Sequence, residues 1–164
     1  MSEIPSFIDV EASGLTGRSY PIEVGVVMPH GEMYCALVRP DPQWVHWDEA
    51  AEAVHRISRA ILGAHGKPLA MVARHLNDLL ENQVVYSDAW GNDLAWLGKL
   101  FDAADLPMRF RLESSRKLLD DAQAARWAEV KAQVTAELNL TRHRASTDAR
   151  ILQLTLARIR GDAA

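Results

Sequence analysis

The segment Phe7-Ile8-Asp9-Val10-Glu11 sets two carboxylates either side of one apolar residue, and near the other end of the chain stands His143-Arg144-Ala145-Ser146-Thr147-Asp148. Side chains alternate faces along a strand, so Asp9 and Glu11 point the same way, about 6.5–7 Å apart at the backbone. That spacing lets both reach one cluster of hard divalent cations, which take oxygen ligands. An isolated D-x-E is more often the solvated end of a strand, and a His flanked by Arg142 and Arg144 more often a solvated loop residue. The elements that carry these residues decide between the readings.

Residues 6–10 read as a buried strand that ends in the small-residue turn Ala12-Ser13-Gly14-Leu15-Thr16-Gly17. The β-branched run 21–28 and the run 33–38 are joined by the turn Pro29-His30-Gly31 and predict a hairpin. After Pro40 and Pro42 the period changes to that of helices. One or two short helices are expected over 48–62 with Asp48 as N-cap, then a longer one from Pro68 to about Glu81 with Leu69, Val72, Leu76 and Leu79 inward. Residues 83–87 predict a fourth strand, a helix from Gly91 or Asn92 carries Leu94, Leu97 and Phe101, and residues 109–112 predict a fifth strand. Helices over 115–137 and 145–160 complete the chain. A meander followed by alternating strands and helices is an α/β arrangement: a mixed five-stranded sheet, antiparallel first and parallel after, flanked by helices.

The 164 residues, 48% of them apolar, suffice for a single domain over 1–164. Cys35 is the one cysteine, so no internal disulfide forms, and no window approaches the run of about 18 apolar residues that a membrane span requires. The expectation is a cytoplasmic protein with no membrane partner. The formal charge of −4 argues at first against a polyanionic partner, but it is unevenly spread. Residues 1–108 hold 7 basic and 15 acidic side chains, residues 109–164 hold 11 and 7. Two divalent cations in an acidic site offset the total, so nucleic acid remains compatible.

Taken in order, these motifs resemble the DEDD superfamily of 3′→5′ exonucleases, the DnaQ-like proteins with a ribonuclease H-like fold. Asp9-Val10-Glu11-Ala12-Ser13-Gly14-Leu15 is similar to that family's first motif, Ile22-Glu23-Val24-Gly25 to the strand that follows, and His55-Arg56-Ile57-Ser58 to the H-x-I-[ST] ahead of the middle helices. His143 through Asp148 matches the last motif, and its histidine points to the DEDDh branch. The resemblance spans nearly the whole chain.

The second motif departs from the pattern: in Tyr86-Ser87-Asp88-Ala89-Trp90-Gly91-Asn92-Asp93, Asn92 stands where an aromatic residue is usual. Asp93 shares a helical face with Trp96, Leu97 and Leu100 and is the favoured carboxylate, with Asp88 its rival and a simple helix cap the bland alternative. Phosphodiester hydrolysis suits such a set, because two cations about 3.5–4 Å apart clamp the attacking and departing oxygens. The resemblance implies that Asp9 bridges two Mg²⁺ or Mn²⁺ ions, that Glu11 and Asp148 hold the ion on the side of the attacking water, that Asp93 supports the other, and that His143 is the general base. It implies further that Ala12, Ser13, Gly14 and Leu15 receive the terminal nucleotide and that His55 and Ile57 line the opposite wall. Trp44, Trp47 and Trp90 are candidates for base stacking, although burial in the core or in a homodimer interface explains a Trp as often.

The function expected is therefore a metal-dependent 3′→5′ exonuclease acting on the 3′ end of single-stranded DNA or RNA or of short oligonucleotides. The alternatives are an inactive nuclease-fold module that binds nucleic acid or regulates, for which the irregular second motif is the one support, and an exonuclease subunit of a larger polymerase.

Overall fold

The computed structural model describes residues 3–139 and 144–161. Strand β1 (Phe7–Ala12) is the centre of a sheet ordered β3-β2-β1-β4-β5, with β2 Pro21–Val27, β3 Met33–Leu37, β4 Val84–Ser87 and β5 Arg111–Ser114. β1, β2 and β3 are antiparallel neighbours, while β4 runs parallel to β1 and β5 parallel to β4. The expected mixed α/β sheet, antiparallel then parallel, is the observed one. Helices α1 (Glu49–His55), α2 (Arg59–His65), α3 (Leu69–Leu80), α4 (Trp90–Ala103), α5 (Asp121–Leu138) and α6 (Ala145–Arg160) surround it.

The alternation of β1 and β2 sorts their side chains into two layers. Ile8, Val10, Val24 and Val26 pack with Val72 and Leu76 of α3 and Leu97 and Leu100 of α4. Phe7 and Val27 point the other way, into a second cluster with Val130 and Val134 of α5 and Leu152 and Leu156 of α6. Asp9 and Glu11 have the parity of Phe7, so they belong to the α6 face of the sheet. A third cluster joins Tyr20, Ile22, Ile57 and Leu62 and seats α1 and α2 beside the hairpin.

Local chemistry sets the helix ends. The Asp48 side chain caps α1 and Ser58 caps α2, the two separated by Arg56 in the left-handed region at φ 59°. Several boundaries shift by a few residues from expectation, and two of the shifts have a plain cause. The fifth strand begins at Arg111 rather than residue 109, because the Arg109 N–H is taken by the Asn77 side chain and its carbonyl by the Asn82 N–H. The helix expected from residue 115 is a 3₁₀ turn, Ser115–Leu118, followed by α5, whose start is fixed by a capping box between Asp120 and Gln123. No helix among the described residues is long and apolar enough to cross a membrane.

Candidate metal centre

The side chains of Asp9 and Glu11 project from β1 where its pairing with β4 has ended. Parallel pairing of β1 with β4 is confined to Phe7 and Tyr86, and the carboxyl ends of both strands, bearing Asp9 and Glu11 on one side and Ser87 and Asp88 on the other, flank a crevice. A gap beyond the carboxyl ends of neighbouring strands is where open α/β sheets place ligands. Asp148, in the first turn of α6, completes the group: one carboxylate oxygen from each of Asp9, Glu11 and Asp148 lies within 4.8 Å of the others.

How α6 reaches β1 is explained by β2. Gly25 is the cross-strand partner of Asp9, and a Cβ there would stand 2.0 Å from the Ser146 nitrogen and 2.1 Å from the Ala145 carbonyl carbon. Only glycine lets the helix start lie on the strand. Glu23, paired opposite Glu11 and buried, accepts hydrogen bonds from the Arg144 guanidinium (2.6 Å to Nη2) and from the Ala145 N–H (2.7 Å). It thus acts as the N-cap that α6 lacks from its own sequence and as counter-charge to Arg144. The motif Ile22-Glu23-Val24-Gly25 is a docking plate for the helix carrying Asp148. Gly25→Ala should lift α6, lowering stability by about 1–3 kcal/mol and weakening Mn²⁺ binding together; thermal melts and a Mn²⁺ titration equal to those of the parent protein would refute the docking account.

The electrostatics of the group are those of anions held apart from their counter-ions. Burial and the neighbouring Asp93, Glu11 and Asp148 carboxylates raise the Asp9 pKa well above the usual range, with Lys131 pulling the other way. Glu11 is pushed up to about 7 by burial, then by Asp148, Glu23 and Asp93. Asp93 is also raised to about 7, chiefly by burial, against the favourable Ser87 hydroxyl and Val10 N–H. Cations at this point would relieve all three.

Asp93, 1% exposed in the first turn of α4, accepts a hydrogen bond from the Ser87 hydroxyl and influences Asp9 electrostatically, but it is not one of the three mutually close carboxylates. Asp88 lines the cleft that also contains Asp9 and Asp148, and its carboxylate meets Lys131 Nζ at 2.6 Å, the Trp127 indole N–H at 2.9 Å and the Ser115 hydroxyl at 3.2 Å. His143 lies outside the described residues.

At the end of β1 and in the turn after it, Ala12, Ser13 and Gly14 are buried, and the Ser13 hydroxyl accepts from the Tyr20 N–H and pairs with His46 Nδ1. Gly14 permits this approach, since a Cβ would meet His46 Cε1 at 2.7 Å. Leu15 projects, 79% exposed, beside a shallow cleft shared with Asn92 and Trp96. His55 and Ile57 are enclosed: the Ile57 N–H donates to His55 Nδ1, Trp47 packs edge-on to the imidazole, and Ile57 lies with Tyr20 and Leu62. Of the candidate stacking residues, Trp44 stacks on Tyr20 and Trp90 donates its N–H to the Leu112 carbonyl.

Sequence reasoning missed Lys99 and the docking role of Glu23. Lys99 of α4 donates to the Gly17 and Ser19 carbonyls at 2.8 and 2.6 Å and ties the turn after β1 to the helix bearing Asp93. Nothing local in the sequence signals it, because the two ends of the bond are about 80 residues apart.

The sheet order and the helices on both faces define a mixed α/β fold shared with solved exonuclease structures. Solved structures sharing that fold include E. coli Exonuclease I in complex with a 5cy-dT13 oligonucleotide (TM-score 0.70, 15% identity) and a moderately thermophilic Exonuclease I from Methylocaldum szegediense (0.70, 14%), each matched over 94% of this chain and 40% of the other. A zinc-bound form of the E. coli enzyme with single-stranded DNA matches with a TM-score of 0.71 at 14% identity, over 94% and 40% of the two chains. The chain thus spans about two fifths of the length of these exonucleases. No protein-family model and no curated protein sequence matches it.

Proposed function

We propose that the protein is a metal-dependent 3′→5′ exonuclease that removes nucleotides from the 3′ end of single-stranded DNA or RNA or of short oligonucleotides. The observation that carries this reading is the meeting of Asp9, Glu11 and Asp148 oxygens within 4.8 Å at the central strand of an Exonuclease I-like sheet. The donor set fits hard divalent cations such as Mg²⁺ or Mn²⁺: it is all carboxylate, and burial together with the neighbouring carboxylates raises the pKa values of Asp9 and Glu11, a cost that bound cations would offset. A pair of ions held by Asp9, Glu11 and Asp148, with Asp93 behind them, would supply the activation of water and the stabilisation of the departing oxygen that phosphodiester hydrolysis needs.

The chain's own groups supply the rest. Leu15 stands exposed at the cleft it shares with Asn92 and Trp96, where an apolar side chain would splay the terminal base from its neighbour, and the turn behind it is held by Lys99 and His46. His143, in sequence directly before the Glu23-anchored Arg144, takes the proton from the attacking water as general base. The complexes of Exonuclease I with oligonucleotides support single-stranded nucleic acid as the substrate class.

The deciding assay follows 5′-labelled and 3′-labelled DNA and RNA oligonucleotides with Mn²⁺, Mg²⁺ or EDTA. Release of 5′-mononucleotides from the 3′ end with either ion, stopped by EDTA, is expected, whereas hydrolysis that persists after full chelation would defeat the metal-dependent reading. Binding of oligonucleotides without hydrolysis under any metal would instead mark a binding module on a nuclease fold.

A further inference from the structure

The cleft that contains Asp9 and Asp148 is walled by Asp88 and Ala89 beyond β4, by Ile151 and Leu152 of α6, and by Lys131 of α5. Lys131 is the basic side chain among them. Its Nζ lies 2.6 Å from Asp88 Oδ2, on an element 43 residues away, with two thirds of the side chain screened from solvent. A lysine serving only helix stability would pair one turn along its own helix; this one is carried to the mouth of a carboxylate pocket. Asp88 is fixed from its other oxygen, which accepts from the Trp127 indole N–H and the Ser115 hydroxyl. Trp127 and Lys131 are neighbours on one face of α5, so a single carboxylate both clamps that face and aims the ammonium. An ammonium carries three N–H donors, and Asp88 Oδ2 engages one.

The charge of the reaction calls for such a group. Carboxylates consume the charge of the bound cations, a phosphodiester brings one further negative charge, and cleavage turns it into a terminal phosphate with more. Lysine serves phosphate as a compact point charge.

Resting on the exonuclease reading above, we propose that Lys131 binds the phosphate of the 3′-terminal linkage and that Asp88 is its positioning residue, not a metal ligand. The test compares the parent protein with Lys131→Met, Lys131→Arg and Asp88→Asn, using a single-stranded oligonucleotide and Mn²⁺ between 50 and 200 mM salt. Lys131→Met should lower kcat/KM by roughly tenfold or more, and the slope of log KM against log salt should flatten by about 0.7, the share of one phosphate contact on a single strand. Lys131→Arg, which keeps the positive charge that acts on Asp9, should leave Mn²⁺ affinity unchanged and recover most of the rate, which also guards against misfolding as the cause. Oligonucleotides with a neutral methylphosphonate at the terminal or the second linkage, used as competitive inhibitors, locate the contact. The terminal methylphosphonate should inhibit the parent and Lys131→Met equally, while the second-linkage analogue should bind the variant more weakly than the parent. An unchanged salt slope, or a variant that loses as much affinity for the terminal methylphosphonate as for the second, overturns the assignment. If the parent protein cleaves no oligonucleotide with any metal, the exonuclease reading itself fails; an active parent with an indistinguishable Lys131→Met sinks the Lys131 proposal alone.

Discussion

Glu11→Gln should cut kcat by roughly a thousandfold while making the metal-free protein more stable at pH 8. The kinetic loss follows from removing one of three converging carboxylates, since several kcal/mol of transition-state stabilisation depend on the cations they hold. The gain in stability has the opposite origin. Burial and the Asp148, Glu23 and Asp93 carboxylates push Glu11 up from the ordinary 4.5 to about 7. A carboxyl whose folded pKa is raised binds a proton more tightly in the folded state, so its favourable contribution is present below about pH 4.5 and is lost as pH climbs through 7. The metal-free protein therefore weakens between pH 4.5 and 8. Glutamine carries no charge to hide, so the variant should exceed the parent by on the order of 2–3 kcal/mol at pH 8, or about 5–10 °C in Tm, and match it near pH 4.5. Saturating Mn²⁺ should reverse the order at pH 8. Parallel melting curves for the two proteins across that range would show that Glu11 is not in the electronegative cluster described.

The second large effect separates two aspartates five residues apart. Asp93→Asn should lower kcat by about 10²–10³, the scale seen when one preorganised polar group is removed from an active site. Asp93 sits behind the tip of β1, sharing the Ser87 hydroxyl and the Val10 N–H and acting on Asp9 through space. Its amide would still receive the Ser87 hydroxyl but would carry no charge toward the cations. Asp88→Asn should cost less than tenfold in kcat and act mainly on KM, because its carboxylate is occupied by Lys131, Trp127 and Ser115. Steady-state kinetics at saturating Mn²⁺ decide the matter. A dead Asp88→Asn beside an active Asp93→Asn would exchange their roles.

The ease with which parts of this chain are read from sequence follows the range of the interactions involved. β1 to β3 are set by alternation and short turns, and α3 and α4 by apolar periodicity, so strand order and layer assignment come from local signals. The start of β5 does not, because the Asn77 amide, 32 residues earlier, claims the Arg109 N–H and delays the ladder. Asp9, Glu11 and Asp148 announce themselves by type and spacing. Glu23 reads in sequence as part of a strand motif, yet its work depends on Arg144, 121 residues further on. Lys131 carries no local mark at all; on a helix rich in charged residues it looks like solvated surface until Asp88 is seen beneath it. His55 and Ile57 show the reverse: their motif is visible, and the structure finds them enclosed under Trp47 and Tyr20.

The docking of α6 onto Glu23 and Gly25 also has a bearing on how the protein assembles its carboxylate cluster. Asp9 and Glu11 are delivered by β1 and Asp148 by α6, so the cluster exists only after segments well over a hundred residues apart have met. Contacts of that sequence separation close late, after loop entropy has been overcome. During folding the molecule should pass through forms with a completed hairpin and no assembled carboxylate cluster. In the native state, any excursion that frees α6 dismantles the centre first. Cations held by Asp9 and Asp148 would then act as a clasp between β1 and α6, slowing amide exchange in α6 more than in α3.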